Sequence, residues 1–325
     1  MDLPLVFMIV MGAAVLVYVV LDGYDLGVGM LMPAASEAEQ STMVSSIAPF
    51  WDANETWLVL GIGILLAAFP LAHGIVLTAL YIPVVAMLVG LMLRGVAFEL
   101  RVKAEGWHRE LWNWLFWLGS FAASFFQGVM LGRYITGFEQ GFGFWLFAIT
   151  VGASLCGGYV LLGATWLVLK CEGALQKKAF AWARWGLLWV ALGVALVSLA
   201  TPLVSETVRE KWFDFPRTLW VMVLPAASVA CGAWLWRATG AKRRTNEMLP
   251  FVLAVAIFVL AFLGLAYSLY PYVVIDRLTI WEAAAHPTGL KALAIGAGIV
   301  LPFIVAYTIL AYRIFRGKAA PKLYD

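Results

Sequence analysis

The sequence predicts an all-α, polytopic integral membrane protein with about nine transmembrane helices. Three observations predict it. The 325-residue chain is 63% hydrophobic and only 13% charged, where a soluble domain is nearer half apolar and a quarter charged. Its apolar runs reach about 20 residues, the length a helix needs to cross a hydrocarbon core about 30 Å thick. The runs do not alternate in and out as barrel strands do, and a barrel is the only other structure that satisfies its own backbone in lipid.

Taken in order, helix one is expected over Pro4–Met30. No basic stretch precedes it and no cleavage-site pattern follows it, so it reads as a retained helix rather than a signal peptide. Helix two, Met43–Phe69, is polar in its first half and is stopped by Pro70. A re-entrant or interfacial segment is the alternative there, and it would leave eight spans. Helices three to five are expected over Gly74–Arg101, Leu111–Ile135 and Gly143–Lys170. Helices six to nine are expected over Phe180–Leu203, Thr218–Arg237, Leu249–Tyr270 and Leu290–Phe315. No remaining segment is long and polar enough for a soluble domain, so residues 1–325 read as one transmembrane domain.

Lys and Arg concentrate after helices three, five, seven and nine: Arg101, Lys103 and Arg109; Lys170, Lys177, Lys178 and Arg184; Arg237, Lys242, Arg243 and Arg244; Arg313, Arg316, Lys318 and Lys322. The positive-inside rule puts these loops in the cytoplasm. Nine spans then leave the N-terminus outside and the C-terminus inside. One segment is discordant: residues 33–49 would be cytoplasmic, yet they carry Glu37 and Glu39 and no base. The net charge of +3 sits in short loops and offers no face for nucleic acid. Cys156, Cys171 and Cys231 are too scattered for a disulfide framework or zinc site. Trp107, Trp112, Trp114 and Trp117 read as an interfacial belt.

Charges within the apolar runs are clustered, and carboxylates at membrane depth normally pair, face a bundle interior or carry protons. Asp22 and Asp25 share a helix face, with Gly23, Gly27 and Gly29 around them to let neighbouring helices approach. Asp52 and Glu55 repeat the spacing on helix two, flanked by Trp51 and Trp57. An apolar aromatic setting disfavours the charged carboxylate, which suits a group that takes up and releases protons. Asn54 and Thr56 would extend a polar path. Arg94 lies inside its helix end and is expected to pair with Asp25 or Asp22 as a structural ion pair. Glu99 and Arg101 stand nearer the basic loop, as the mouth of a proton path or an exposed pair. Glu282 reads as a surface residue. The three histidines, His73, His108 and His286, sit at turns or in loops rather than centrally in apolar helices. Haem or metal ligation by this chain, and catalytic residues within it, are therefore not expected. There is no phosphate-binding loop.

At these residues the chain resembles subunit II of cytochrome bd quinol oxidases. The resemblance rests on residues 22–30 (DGYDLGVGM), 46–57 (SIAPFWDANETW), 67–70 (AAFP), 94–99 (RGVAFE) and 281–283 (WEA), and it extends over the whole chain. The compact length is similar to the cyanide-insensitive branch. The resemblance implies two four-helix bundles plus a peripheral helix, in a bacterial cytoplasmic (inner) membrane. It implies a heterodimer with subunit I, which would carry two haem b and one haem d, or a haem b substitute, and would oxidise quinol and reduce oxygen to water. A small single-helix accessory subunit, lipid and the quinone pool are further partners it implies. It places Asp52 and Glu99 on the proton route, with Asp25, Asn54 and Glu55 shaping it. Glu99 stands where many relatives have Asp, and Glu282 where some do. Trp51 and Trp57 would lie near a structural ubiquinone. A proton-coupled secondary transporter is the alternative from another class, but it predicts paired broken helices in two repeats, and only the segment near Pro49 is unusual. A purely structural scaffold is the third reading.

Overall fold

The computed structural model of the protein describes residues 2–240 and 246–319. Lys242, Arg243, Arg244 and Lys322, used above for orientation, lie outside the described residues. The chain opens with α1 (Leu3–Leu31), a 3-10 turn at Met32–Ala34, α2 (Glu37–Ile47), α3 (Trp51–Ala68), α4 (Pro70–Ala79) and α5 (Tyr81–Lys103). It continues with α6 (Gly106–Ile135), α7 (Phe142–Lys170), α8 (Gly173–Val204), α9 (Glu206–Phe213), α10 (Arg217–Val221), α11 (Val223–Gly240) and α12 (Met248–Leu269). A short antiparallel hairpin, β1 (Tyr272–Val274) with β2 (Leu278–Thr279), leads to α13 (Pro287–Ile314).

Eight segments among the described residues are long and apolar enough to cross a membrane, with α10 and α11 forming one of them, Thr218–Gly240. The ninth expected span is α3, whose 18 residues begin with the polar half already visible in sequence. Two boundaries differ from expectation. The predicted helix over 43–69 is broken at residues 48–50, where α2 ends and α3 begins. Ala48 still keeps helical angles, but Pro49 lacks the N–H that would continue the ladder. The predicted helix starting at Gly74 begins instead as α4, with Pro70 at its first position, where a missing N–H costs nothing. A second break at Leu80 separates α4 from α5.

Helices α1, α3, α5 and α6 pack as one bundle, and α7, α8, α11 and α12 as the other. The bundles are joined where α1 and α6 both lie on α7. That seam depends on glycine. A Cβ at Gly27 would stand 1.8 Å from the Tyr159 carbonyl oxygen, and one at Gly163 would stand 2.4 Å from the Gly27 carbonyl carbon. The α1 and α7 backbones therefore touch directly, as small residues allow in membranes. Helix α13 is peripheral and touches α1 and α3; Leu290 is its one fully buried residue.

Loop contacts sort the two ends of the molecule and account for the discordant acids. Lys178 Nζ donates to Glu39 Oε2 at 2.7 Å, and Arg109 Nε lies 3.8 Å from Glu37 Oε1. The acids of α2 thus offset bases from the starts of α6 and α8 at the basic end. Lys318 reaches Glu247 at 2.5 Å at that same end, and Lys170 donates to the Phe315 and Gly317 carbonyls that end α13. At the opposite end Arg277 pairs with Glu139 at 3.1 Å, and Trp281 Nε1 donates to Asp2 at 3.0 Å.

Candidate functional site: a buried carboxylate cluster

The polar residues singled out in α1, α3 and α5 converge inside the first bundle. Asp22 and Asp25 are fully buried, Asn54 is 1% exposed and Arg94 is 1% exposed. The guanidinium of Arg94 forks: Nη1 donates to Asp22 Oδ1 at 2.6 Å, and Nη2 donates to Glu55 Oε1. The expected pairing of Arg94 with Asp22 is present in this geometry, and the second partner is Glu55 rather than Asp25. Asp25 Oδ2 instead accepts from Asn54 Nδ2 at 2.7 Å. Helical phase explains the ambiguity: Asp22 and Asp25 lie within one turn and face nearly the same way.

Asn54 is held in a ring of hydrogen bonds. Its Nδ2 donates to Tyr24 Oη at 3.0 Å, and the Tyr312 hydroxyl donates to its Oδ1 at 3.1 Å. The two tyrosine oxygens are 2.5 Å apart, so the Tyr24 proton closes the ring onto Tyr312. Tyr312 comes from the peripheral helix α13, whose end is fixed by Lys170. Two carboxylate oxygens, Asp22 Oδ2 and Asp25 Oδ1, are buried without any hydrogen-bond partner. Such orphaned acceptors are uncommon and mark sites for a proton or a bound water.

The outer residues of the expected path are placed differently. Glu55 is half-buried, its side chain 29% exposed. Asp52 and Glu99 are exposed on α3 and α5. Each adjoins the Trp51–Phe98 ring contact, where the centroids are 4.9 Å apart. Trp51 also lies under Arg94, 5.7 Å from guanidinium to ring centroid, and its indole lies beside Gly95. Trp57 is buried beside Ala14 and Tyr18. Arg101 is buried and bonds Asn113 and Ser41, so it belongs to the α2–α6 junction rather than to this cluster. Glu282 is exposed and accepts from the Thr279 backbone and hydroxyl, which hold its carboxyl below the usual carboxylate range.

Sequence reasoning missed the tyrosines. Tyr18, Tyr24, Tyr159 and Tyr312 all take part in hydrogen bonds around the cluster. Gln127, an amide in the apolar second half of α6, was the available signal.

Comparison with known proteins identifies the family. The family of cytochrome bd terminal oxidase subunit II matches residues 3–315. The chain belongs to that family. It is 30% identical to cytochrome bd ubiquinol oxidase subunit 2 of Bacillus subtilis (strain 168), over 93% of this chain and 92% of that protein. It is 27% identical to cytochrome bd-I ubiquinol oxidase subunit 2 of Escherichia coli (strain K12), over 97% and 95%. The bd oxidase from Geobacillus thermodenitrificans has the same fold, with a TM-score of 0.80 at 19% identity, covering 97% of this chain and 99% of that one. The protein is thus subunit II of a bd-type oxidoreductase, a multi-pass membrane subunit with a subunit I partner.

A bd oxidase complex holds haems, whose axial ligands are side chains such as His, Met or Cys. His73 is half-buried on α4, His108 is exposed, and His286 is exposed and accepts from the Thr288 N–H at 3.4 Å at the start of α13. No group of three or more His, Cys, Asp or Glu among the described residues is arranged to hold a metal ion.

Proposed function

We propose that this subunit II stabilises the haem-bearing subunit I and gives protons a route from the cytoplasm for the reduction of oxygen to water with quinol. The observation that carries the reading is a charge imbalance. Three carboxylates, Asp22, Asp25 and Glu55, share one cation, Arg94, in a site closed to water on most sides. Leaving a net negative charge there costs several kcal/mol per uncompensated ion, so the cluster holds a proton. Asp22 and Glu55 have the guanidinium, while Asp25 has only an amide and a free Oδ1. Asp25 is therefore the proton-carrying group and Arg94 the structural one.

The route begins at Asp52 and Glu99 on the exposed face, where the two acids would meet the partner subunit or cytoplasmic water. It continues through half-buried Glu55, which shares a helix face with Asp52, and reaches Asp25 beside Asn54. The four basic segments orient these ends toward the cytoplasm, leaving the N-terminus outside and the C-terminus inside. The haems, two of b type and one of d type or its b-type substitute, would reside on subunit I; His73, His108 and His286 all lie away from the middle of a membrane-spanning helix. Trp51 and Trp57 are candidates for contact with a structural ubiquinone, and an accessory single-helix subunit would complete the complex.

The test compares Asp25→Asn, Asp52→Asn and Glu99→Gln in the assembled, haem-loaded complex. Quinol-driven oxygen uptake should fall at least tenfold for Asp25→Asn with haem content unchanged. Normal uptake in all three variants would leave a purely structural role. A stable chain with no haem-bearing partner would instead favour proton-coupled transport.

A further inference from the structure

The cluster has a second, directional arm. Tyr159 on α7 donates to Gln127 Oε1 at 2.7 Å, and Gln127 Nε2 on α6 donates to Tyr18 Oη at 2.7 Å. An amide has one acceptor oxygen and donates through nitrogen, so the donation at one end fixes the direction at the other. Tyr18 has then received a hydrogen bond and keeps its own proton to give. Asp22 lies one turn further along α1, on the same helix face. Asp22 Oδ2 is one of the two buried carboxylate oxygens that lack a partner. An unplaced donor and an unplaced acceptor thus lie one turn apart on the same helix face.

We infer that Tyr159, Gln127 and Tyr18 form a positioning chain that directs a hydrogen bond, direct or through one water, onto Asp22 Oδ2 and so keeps Asp22 ionised as the partner of Arg94. The chain positions and does not conduct. An amide does not ionise near neutral pH, and the far end is closed: Tyr159 is fully buried and stacked on Phe258 at 6.1 Å. Its ring is also pinned against α1, where a Cβ at Gly23 would stand 2.7 Å from it. The tight glycine seam between the bundles therefore does more than pack helices. It holds the first donor of the chain in place, so the second bundle helps set the charge state of the first. This inference deepens the proton-route reading, since it assigns Asp22 the fixed charge and leaves Asp25 as the group that changes.

The test is infrared spectroscopy of the assembled complex, in which a protonated carboxyl has its own stretching band. Tyr18→Phe deletes the last donor and keeps the ring. A new protonated-carboxyl band is expected at neutral pH, and it should be missing from Tyr18→Phe/Asp22→Asn. The proton concentration giving half-maximal oxygen uptake should also change by roughly tenfold, the worth of one hydrogen bond to a charged group. Tyr159→Phe removes the first donor, should act in the same sense more weakly, and serves if Tyr18→Phe does not assemble. Spectra and pH profiles identical to the parent in both variants would overturn the inference. Asp25→Asn separates the two ideas. Normal uptake in that variant together with the new Asp22 band refutes the proton route and leaves the chain standing, and the reverse pattern refutes the chain alone.

Discussion

Replacing Arg94 by Met should remove the cation from the cluster while filling most of its volume. The guanidinium is 1% exposed and holds Asp22, itself fully buried, at 2.6 Å. Losing one partner of a buried ion pair costs about 3–5 kcal/mol. A second argument bounds the figure. The orphaned aspartate can escape by taking up a proton, which at pH 7 costs about 4 kcal/mol from an ordinary value near 3.9. Glu55 adds at most about 1 kcal/mol, because its side chain is 29% exposed and solvent screens it. A loss of about 4 kcal/mol is nearly a thousandfold in the folding equilibrium, and a large share of the stability of a typical domain. Arg94→Met should therefore accumulate poorly in membranes and yield little haem-loaded complex. The penalty should shrink to about 2 kcal/mol at pH 5.5, since protonation is then easier. Arg94→Met combined with Asp22→Asn and Glu55→Gln removes the charges together and should recover most of the complex. Arg94→Lys should be intermediate, because one ammonium cannot reproduce the two-armed fork. The assay is the amount of complex in membranes and its thermal unfolding in mild detergent at both pH values. Parental yield and melting for Arg94→Met would refute the reasoning.

Gly27→Ala should force the two bundles apart, because its Cβ would stand 1.8 Å from a backbone oxygen that cannot move aside; the cost is at least about 1–3 kcal/mol. Gly63→Ala, with nothing within 4 Å, should be silent in the same unfolding experiment. Tyr312→Phe should cost about 1 kcal/mol through the lost bond to Asn54, and should lower oxygen uptake several-fold at unchanged haem content by freeing the amide that orients Asp25. At the basic end, hydrogen bonds from Lys178 and the Ser36 N–H hold the Glu39 carboxyl below the usual glutamate value. A depressed carboxyl contributes stability that is present above the ordinary value near 4.3 and lost as pH falls through its lower folded value. Amide exchange at the start of α2 should therefore quicken only in strong acid. Lys178→Ala should shift that onset upward by an amount worth less than about 1 kcal/mol, since Lys178 is 44% exposed.

Much of the architecture was legible because lipid leaves so few options. Runs such as Gly143–Lys170 have one stable form in hydrocarbon, and α7 ends at the same Lys170. The breaks at residues 48–50 and at Leu80 were not, because the apolar pattern runs on through them. Pro49 gave the cue for the first, while Leu80 carries no such mark. In the site, Asp22, Asn54, Glu55 and Arg94 stood out as polar groups where polar groups are costly. Which acid faces the guanidinium depended on a rotation of less than one helical turn, and sequence does not carry that precision. The tyrosines were hidden for a different reason. A tyrosine is ordinary at a membrane boundary, and nothing in its immediate sequence tells whether its hydroxyl meets headgroups or, as with Tyr18 and Tyr159, a buried amide. Asp52 and Glu99 are exposed, so no packing within the chain decides which way they face.

The most direct measurement is quinol-driven oxygen uptake by purified, haem-loaded complex carrying Asp25→Asn, beside the parent complex prepared in the same way. A fall of tenfold or more with intact haem spectra is the result expected if Asp25 carries the proton that three carboxylates and one arginine oblige the site to hold. Uptake equal to the parent, across the pH range of activity, would contradict that assignment and return the cluster to a role in holding the helices together.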